Sequence, residues 1–292
     1  MAFSHKALAG LGTLAAMAFA APAMAQGACD RSQLQNLADL YVTAQGSGEG
    51  FRVPMGEWVQ YRENNRLSSM TYGGVLATPH EIDWHRALLD TTTCAIFVEA
   101  VIDDATSPWV LGTKISTRGG LVNRYDVVTS TTGDWLFDAA RTRYYATRED
   151  WSEIPEGQRN SRADIIAAAN TYLDKFSNAD TVVAWGTPCA RLEGGVYTGR
   201  GLPTDSCDVG VPSGVELVDR DYIVDETIGA VAVRLRFGGA EGLADAHVFR
   251  IENGRIRFVH TITNCNGQAN CGFPPLSEML ARNPDMQPDL PN

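Results

Sequence analysis

The sequence predicts an α+β protein made of two tandem rolls, each a curved antiparallel sheet packed on helices, paired as a pseudo-dimer. Three observations predict it. Blocks of sequence recur in one order at nearly constant spacing. Each half opens with a helical apolar stripe. Each half closes on long alternating strands separated by glycine turns.

The recurrence is readable residue by residue. GLVNRYDVVTS at Gly120–Ser130 matches GRIRFVHTITN at Gly254–Asn264, an offset of 134. TTCAIFVEAVI at Thr92–Ile102 matches TIGAVAVRLRF at Thr227–Phe237 at 135, and ADLYV at Ala38–Val42 matches ANTYL at Ala169–Leu173 at 131. Self-similarity of this kind is the mark of a duplicated unit.

The chain starts with a segment that reads as a signal peptide. Lys6 supplies a positive start, Ala7–Ala20 is an apolar run, and Ala23-Met24-Ala25 has the small-x-small form of a cleavage site. The run is too short and too rich in Ala and Gly for a membrane span. Cleavage after Ala25 is expected, giving residues 26–150 as the first roll and 151–292 as the second roll with a C-terminal tail. Pro155 and Gly157 place the hinge within Arg148–Asn160.

In the first roll Ser32 is expected to open a helix, with Leu34, Leu37 and Tyr41 facing inward. In the second, Ser161 reads as an N-cap and Asp164 follows three residues on. Ile165, Ile166, Ala169, Tyr172, Leu173 and Phe176 form its apolar stripe. Strands are expected at Ala95–Ile102, Val110–Thr117, Val122–Thr129, Gly229–Phe237, His247–Glu252 and Ile256–Thr263. Arg118-Gly119-Gly120 and Glu252-Asn253-Gly254 read as hairpin turns.

The formal charge is −11, and loss of Lys6 with the leader makes it one unit more negative. Such a surface repels nucleic acid and anionic lipid. The six cysteines are Cys29, Cys94, Cys189, Cys207, Cys265 and Cys271. An even count behind a signal peptide points to disulfides in a periplasmic or secreted protein. Six cysteines allow fifteen pairings. Locality suggests Cys265–Cys271 and Cys189–Cys207, leaving Cys29–Cys94. Ligand spacings typical of metal sites are missing, so no metal is expected.

Several stretches resemble a secreted fungal and bacterial family described as a domain of unknown function. They are CDRSQLQNLADLYVTAQ, STTGDWLF, WGTPCARLEGGVYTG, DSCDVGVPSG and HVFRIENGRIRFVHTIT. The roll itself resembles the nuclear-transport-factor-2-like, or polyketide-cyclase-like, superfamily. That resemblance implies a cone-shaped pocket and allows isomerases, dehydratases, cyclases, aldol-type lyases or non-catalytic binding modules.

Four histidines follow the leader: His80, His85, His247 and His260. Histidine is the natural acid/base near neutral pH. His247 and His260 flank the Asn253 turn and are expected on one apolar face, with Phe249 and Phe258, as a catalytic pair. Tyr222 is a candidate oxyanion donor, and Arg191 a candidate anchor for a phenolate or carboxylate. Glu193, Trp185, Tyr197, Phe249, Phe258 and Asp225 are candidates for substrate binding. His80, Asp83, His85 and Asp126 are secondary candidates, since Asp83 and His85 stand two apart and share a face if on a strand. Asp126 and Thr113 are the first-half equivalents of His260 and His247.

The nucleophile elbow GxSxG, the P-loop and a dinucleotide fingerprint in context are missing from the sequence. Chemistry without a cofactor is therefore expected: a lyase or isomerase acting on a small hydroxylated, aromatic compound. One concrete form is elimination of formaldehyde or water from a lignin-derived phenylpropanoid dimer. The alternative is a periplasmic binding module without catalysis. The expected partner is a small-molecule ligand or substrate, without nucleic acid or membrane insertion; a homo-oligomer is compatible with the sequence.

Overall fold

A computed structural model describes Met1 and residues 29–282 of the chain. The leader and its cleavage site lie outside the described residues. The elements run α1 (Arg31–Ser47), β1 (Met55–Glu63), β2 (Arg66–Leu67), β3 (Trp84–Asp90), β4 (Ala95–Ile102), β5 (Trp109–Arg118), β6 (Leu121–Thr131) and α2 (Ala139–Ala146). They continue as α3 (Arg162–Lys175), β7 (Trp185–Glu193), β8 (Val196–Tyr197), β9 (Leu217–Asp225), β10 (Ala230–Phe237), β11 (Leu243–Glu252), β12 (Arg255–Asn264) and α4 (Leu276–Arg282).

The two sheets have one plan. The first is ordered β2-β1-β6-β5-β4-β3 and the second β8-β7-β12-β11-β10-β9. The protein is thus α+β; the described residues form two similar six-stranded sheets and four helices, consistent with a two-domain pseudo-dimer. The sheets are mixed rather than purely antiparallel. β1 runs parallel to β6 and β7 parallel to β12, because the chain returns to the edge of the sheet by a crossover that the sequence hid in polar stretches.

Local chemistry explains the elements. Ser161 caps α3 by accepting from the backbone of Asp164, as its sequence predicts. At α1 the cap is Asp30 rather than Ser32; Asp30 accepts from Gln33 N and from the Ser32 hydroxyl. The hairpin turns hold positive φ at Gly119 and Gly120 and at Asn253 and Gly254, the backbone that a two-residue turn requires.

β4 is buried along its whole length because both of its faces are covered. Ile96, Val98, Ala100 and Ile102 pack with α1, whose Leu34, Leu37 and Tyr41 belong to the same cluster. Phe97 and Val101 face the other half. The second sheet answers with Ala230, Ala232, Ala244, Ala246 and Val248. These short side chains let the two sheets approach closely. Gly112 serves the same end: a Cβ there would stand 2.9 Å from the Phe97 ring and 3.2 Å from Ile262 of the other half.

The likeness of the two halves extends to two reciprocal ion pairs. Arg31, first residue of α1, donates to Asp225 at 2.7 Å, and Leu89 N donates to the other Asp225 oxygen. Arg162, first residue of α3, donates to Asp90 at 2.9 Å, and Val224 N donates to the other Asp90 oxygen. Arg31 and Arg162 are 131 apart, and Asp90 and Asp225 are 135 apart, the offsets of the repeat. Asp225 is therefore a clasp between halves; the structure does not place it in a binding site. Replacing Asp90 or Asp225 with Asn sets an amide donor against donors. Each change should lower the unfolding free energy by about 2–3 kcal/mol in urea titrations, and an unchanged midpoint would refute the clasp.

The three disulfides are Cys29–Cys94, Cys189–Cys207 and Cys265–Cys271, the pairing suggested by locality. They are compatible with a secreted protein. Among the described residues, no helix is long and apolar enough to cross a membrane. The segment Arg148–Asn160, between α2 and α3, is docked on the fold as a strap. Trp151 stacks near Phe258, Ile154 N donates to Thr227, and Arg250 donates to Ser152 O.

Candidate functional site

Alternation along LADAHVF turns Asp245, His247 and Phe249 toward α3 and turns Ala244, Ala246 and Val248 toward the other half. The same rule on β7 turns Arg191 and Glu193 to the α3 side, and on β12 it turns Thr261 and Thr263 there. These side chains line a cavity of about 360 Å3 between α3 and the sheet. Tyr172 and Phe176 come from the helix side, Trp135 from the first half, and Phe273 from the segment just after the Cys265–Cys271 disulfide.

The polar centre of the cavity is a chain of short hydrogen bonds. Asp245 Oδ1 lies 2.6 Å from His247 Nδ1, and Asp245 Oδ2 accepts from the Thr263 hydroxyl at 2.6 Å. All three residues are buried. A carboxylate only accepts, so Nδ1 carries the proton in this pair and Nε2 is the ring nitrogen left for a ligand. The His247 ring lies 5.7 Å from Tyr172 and is stacked at 6.0 Å with Phe249.

Beside it stands Arg191, the bulkiest of the fully buried side chains. Its Nε lies 3.2 Å from Glu193 Oε1 and its Nη2 donates to Val209 O. Burial works against its charge, but Glu193 and Tyr172 outweigh burial and hold the guanidinium above its ordinary pKa. Glu193 also accepts from the Trp135 indole at 3.3 Å. Burial pushes the Tyr172 phenol well up, so it stays protonated. The Thr261 hydroxyl is buried without a hydrogen-bond partner, and the Arg191 Nε has only its ion pair with Glu193. An unmet hydroxyl in the wall of a cavity is what a ligand can satisfy.

The structure separates the two histidines expected as a pair. His247 is opposite Thr261, and His260 is opposite Val248. The register slips between Arg250 and Ile251, and a slip of one residue sends a side chain to the other face. His260 therefore faces the first half. Its Nδ1 lies 2.6 Å from Glu99 and its Nε2 2.6 Å from Glu149. Both nitrogens meet acceptors, so the ring is an imidazolium. Burial opposes that charge, yet Glu149 and Glu99 outweigh it and raise the pKa from 6.5 to about 9. Arg86 completes the cluster, 3.3 Å from Glu99 and 3.7 Å above the Trp151 ring.

Other expected residues are dispersed. Tyr222 donates to Asn170 at 2.7 Å on the flank of α3. Trp185 packs edge-on to Tyr172 in the core. Tyr197 stacks on Tyr145, and Phe258 lies near Trp151. His80 lies beside Trp109, and burial lowers its pKa. Asp83 bonds to Arg143 and to the backbone of Asp103, while His85 is exposed. Asp126 is buried against Arg124 and Arg234. Of the expected set, His247, Arg191 and Glu193 line the cavity, with Phe249 behind them.

Sequence reasoning missed Asp245, Thr263 and Tyr172 as members of the site. The signal was present in DAH: an acid two residues before a histidine on a strand shares its face. In the first half the matching positions are Leu111 for Asp245, Thr113 for His247 and Tyr61 for Arg191. There Tyr41 and Thr113 bond to each other at 2.7 Å. The acid–histidine–arginine set thus belongs to the second half alone. Among the described residues, no group of three or more His, Cys, Asp and Glu side chains is arranged to hold a metal ion.

The fold and site define an α+β protein of two similar sheets, compatible with a duplicated fold, with a charged, aromatic-lined cavity in its second half. The family described as a domain of unknown function (DUF8021) matches residues 158–263, from just before α3 to Thr263. That span holds Arg191, Glu193, Asp245, His247 and Thr263 but not Trp135 or Phe273. No curated protein matches the chain.

Proposed function

We propose that the second-half cavity binds a small hydroxylated aromatic compound and that His247 acts there as a general base in a cofactor-free elimination. The observation that carries this reading is the buried Thr263–Asp245–His247 chain ending in a lone pair beside Arg191. Phe176, Phe237, Phe273 and Trp135 supply ring faces, and about 360 Å3 suits a compact ligand. The helix on a curved sheet, with a cavity between them, also supports kinship with the nuclear-transport-factor-2-like rolls. Fold-level kinship does not fix chemistry.

In this reading Nε2 takes a proton from a substrate hydroxyl. With a phenylpropanoid dimer, the C–C bond to the hydroxymethyl carbon breaks and releases formaldehyde. Its electron pair forms the alkene and expels the neighbouring aryl-ether oxygen. Arg191 stabilises that oxyanion, and the imidazolium returns the proton to it. Asp245 holds the imidazolium in place throughout.

Incubation of the purified protein with a panel of plant-derived phenolics, read by mass spectrometry, tests the reading. New alkene products that vanish in His247→Ala support it. Turnover that survives the substitution refutes it. The depth of His247, only 1% exposed, favours one rival, a periplasmic or secreted carrier. A carrier would be protected by the ligand against unfolding and would release it unchanged.

A further inference from the structure

The two ends of the layer between the sheets are related by the repeat, yet they are closed differently. At one end lie Arg86, Glu99 and His260, and the strap fills the space above them with Glu149 and Trp151. The matching residues at the other end are Asp221, Arg234 and Asp126. Arg234 lies 3.3 Å from Asp221 and 3.6 Å from Asp126, so the trio persists with its charges reversed. The strap serves only one end. At the other, a cleft of about 510 Å3 remains.

This cleft is cationic in a chain of net charge −11. Arg62, Lys114, Arg124, Arg234 and Arg236 line it. Three carboxylates oppose them, and each is already engaged. Asp221 takes both oxygens to Lys114 at 2.6 and 2.7 Å, Asp126 takes Arg124 and Arg234, and Asp219 takes Arg236 at 3.0 Å. Five cations against three acids leave positive charge over.

The orphaned atoms give the sign of what is missing. Arg62 Nε, Asn65 Nδ2 and Arg234 Nε are buried without hydrogen-bond partners. All three are donors. Buried donors lacking acceptors are costly and rare in native proteins, and three around one cleft ask for a single ligand rich in acceptors. Arg234 is only 7% exposed, so it is a built element of the wall. A planar guanidinium such as that of Arg62 matches two oxygens of a carboxylate or phosphate.

From this geometry we infer a second ligand site, between the halves and apart from the His247 cavity, that takes a small oxyanion, a carboxylate or phosphate group. It would occupy the open end, where Arg62, Lys114, Arg124 and Arg236 supply the positive charge that the reversed trio itself lacks. Isothermal titration of the full chain with inorganic phosphate and, separately, with citrate, at ionic strength fixed by sodium chloride, tests it. Saturable binding of either is expected, weakened at least tenfold by Arg62→Gln and unchanged by Arg118→Gln on the exposed β5–β6 turn. Arg62→Lys should bind between the two. Response to phosphate alone assigns a phosphoryl ligand, and response to citrate alone a carboxylate. The site is refuted if neither anion binds beyond chloride, or if Arg62→Gln, with its melting temperature intact, binds as the unaltered chain does.

Discussion

Replacing His260 with glutamine should lower the unfolding free energy by about 3–5 kcal/mol, the usual effect of breaking a buried ion pair. The imidazolium stands between Glu99 and Glu149, each 2.6 Å from a ring nitrogen. Glutamine can donate to one of them and leaves the other facing only Arg86. Chemical denaturation measures the loss, and a change under 1 kcal/mol would show that the network is not fixed by His260.

The same cluster sets a pH dependence whose sign follows from linkage. The folded pKa of His260 is raised from 6.5 to about 9. Its stabilisation is complete below the unfolded value near 6.5 and is lost as pH rises through about 9, a contribution on the order of 3 kcal/mol. Burial pushes Glu99 up, but His260 and Arg86 outweigh burial and hold it below the ordinary carboxylate range. Its stabilisation is present above the unfolded carboxylate pKa and fades as pH falls through the lower folded one. The melting temperature should therefore fall between pH 7 and pH 10 in the unaltered chain, with a much flatter slope in His260→Gln. Parallel slopes would contradict this assignment.

The largest effect on activity is expected at His247. Removing a general base commonly costs about 10²–10⁴ in rate, so His247→Ala should reduce turnover of the identified phenolic by that factor. Ligand affinity should change far less, because the ring faces and Arg191 remain. Asp245→Asn offers a sharper test. An amide can donate to Nδ1, which moves the ring proton to Nε2 and removes the base while leaving the imidazole in place. Turnover should fall comparably to His247→Ala, with KM nearly unchanged. A fall in affinity with turnover intact would instead indicate a binding cavity. Circular dichroism on each variant separates lost chemistry from lost fold.

The plan of the protein is legible in its sequence because duplication and alternation both leave local marks. The offsets of 131 to 135 locate both helices and the long strands, and Ser161 caps its helix as read. Long-range facts were less legible. The parallel β1–β6 and β7–β12 pairings depend on where a crossover returns, which no local pattern encodes. The face of His260 depends on a register slip two strand positions from the turn, and counting outward from Asn253 misses it. Asp225 looks like any strand-end acid until Arg31 of the other half is brought to it. The histidine at the heart of the cavity is visible in the sequence, as are Arg191 and Glu193. The acid bonded to it is legible too, since the spacing of Asp83 and His85 recurs in Asp245 and His247.

The reversed charge trios have a consequence for which halves can recognise each other. Glu99 meets His260 and Arg234 meets Asp126, and these are the two copies of one contact across the pseudo-two-fold axis. The first half carries two acids at these positions and the second two bases. A pair of first halves would set Glu99 against Asp126, and a pair of second halves would set Arg234 against His260. Only unlike halves attract. Charge at this contact therefore favours the pairing of unlike halves that the fused chain makes. A like pairing, by exchange of halves between molecules, would set like charges together at both copies of the contact.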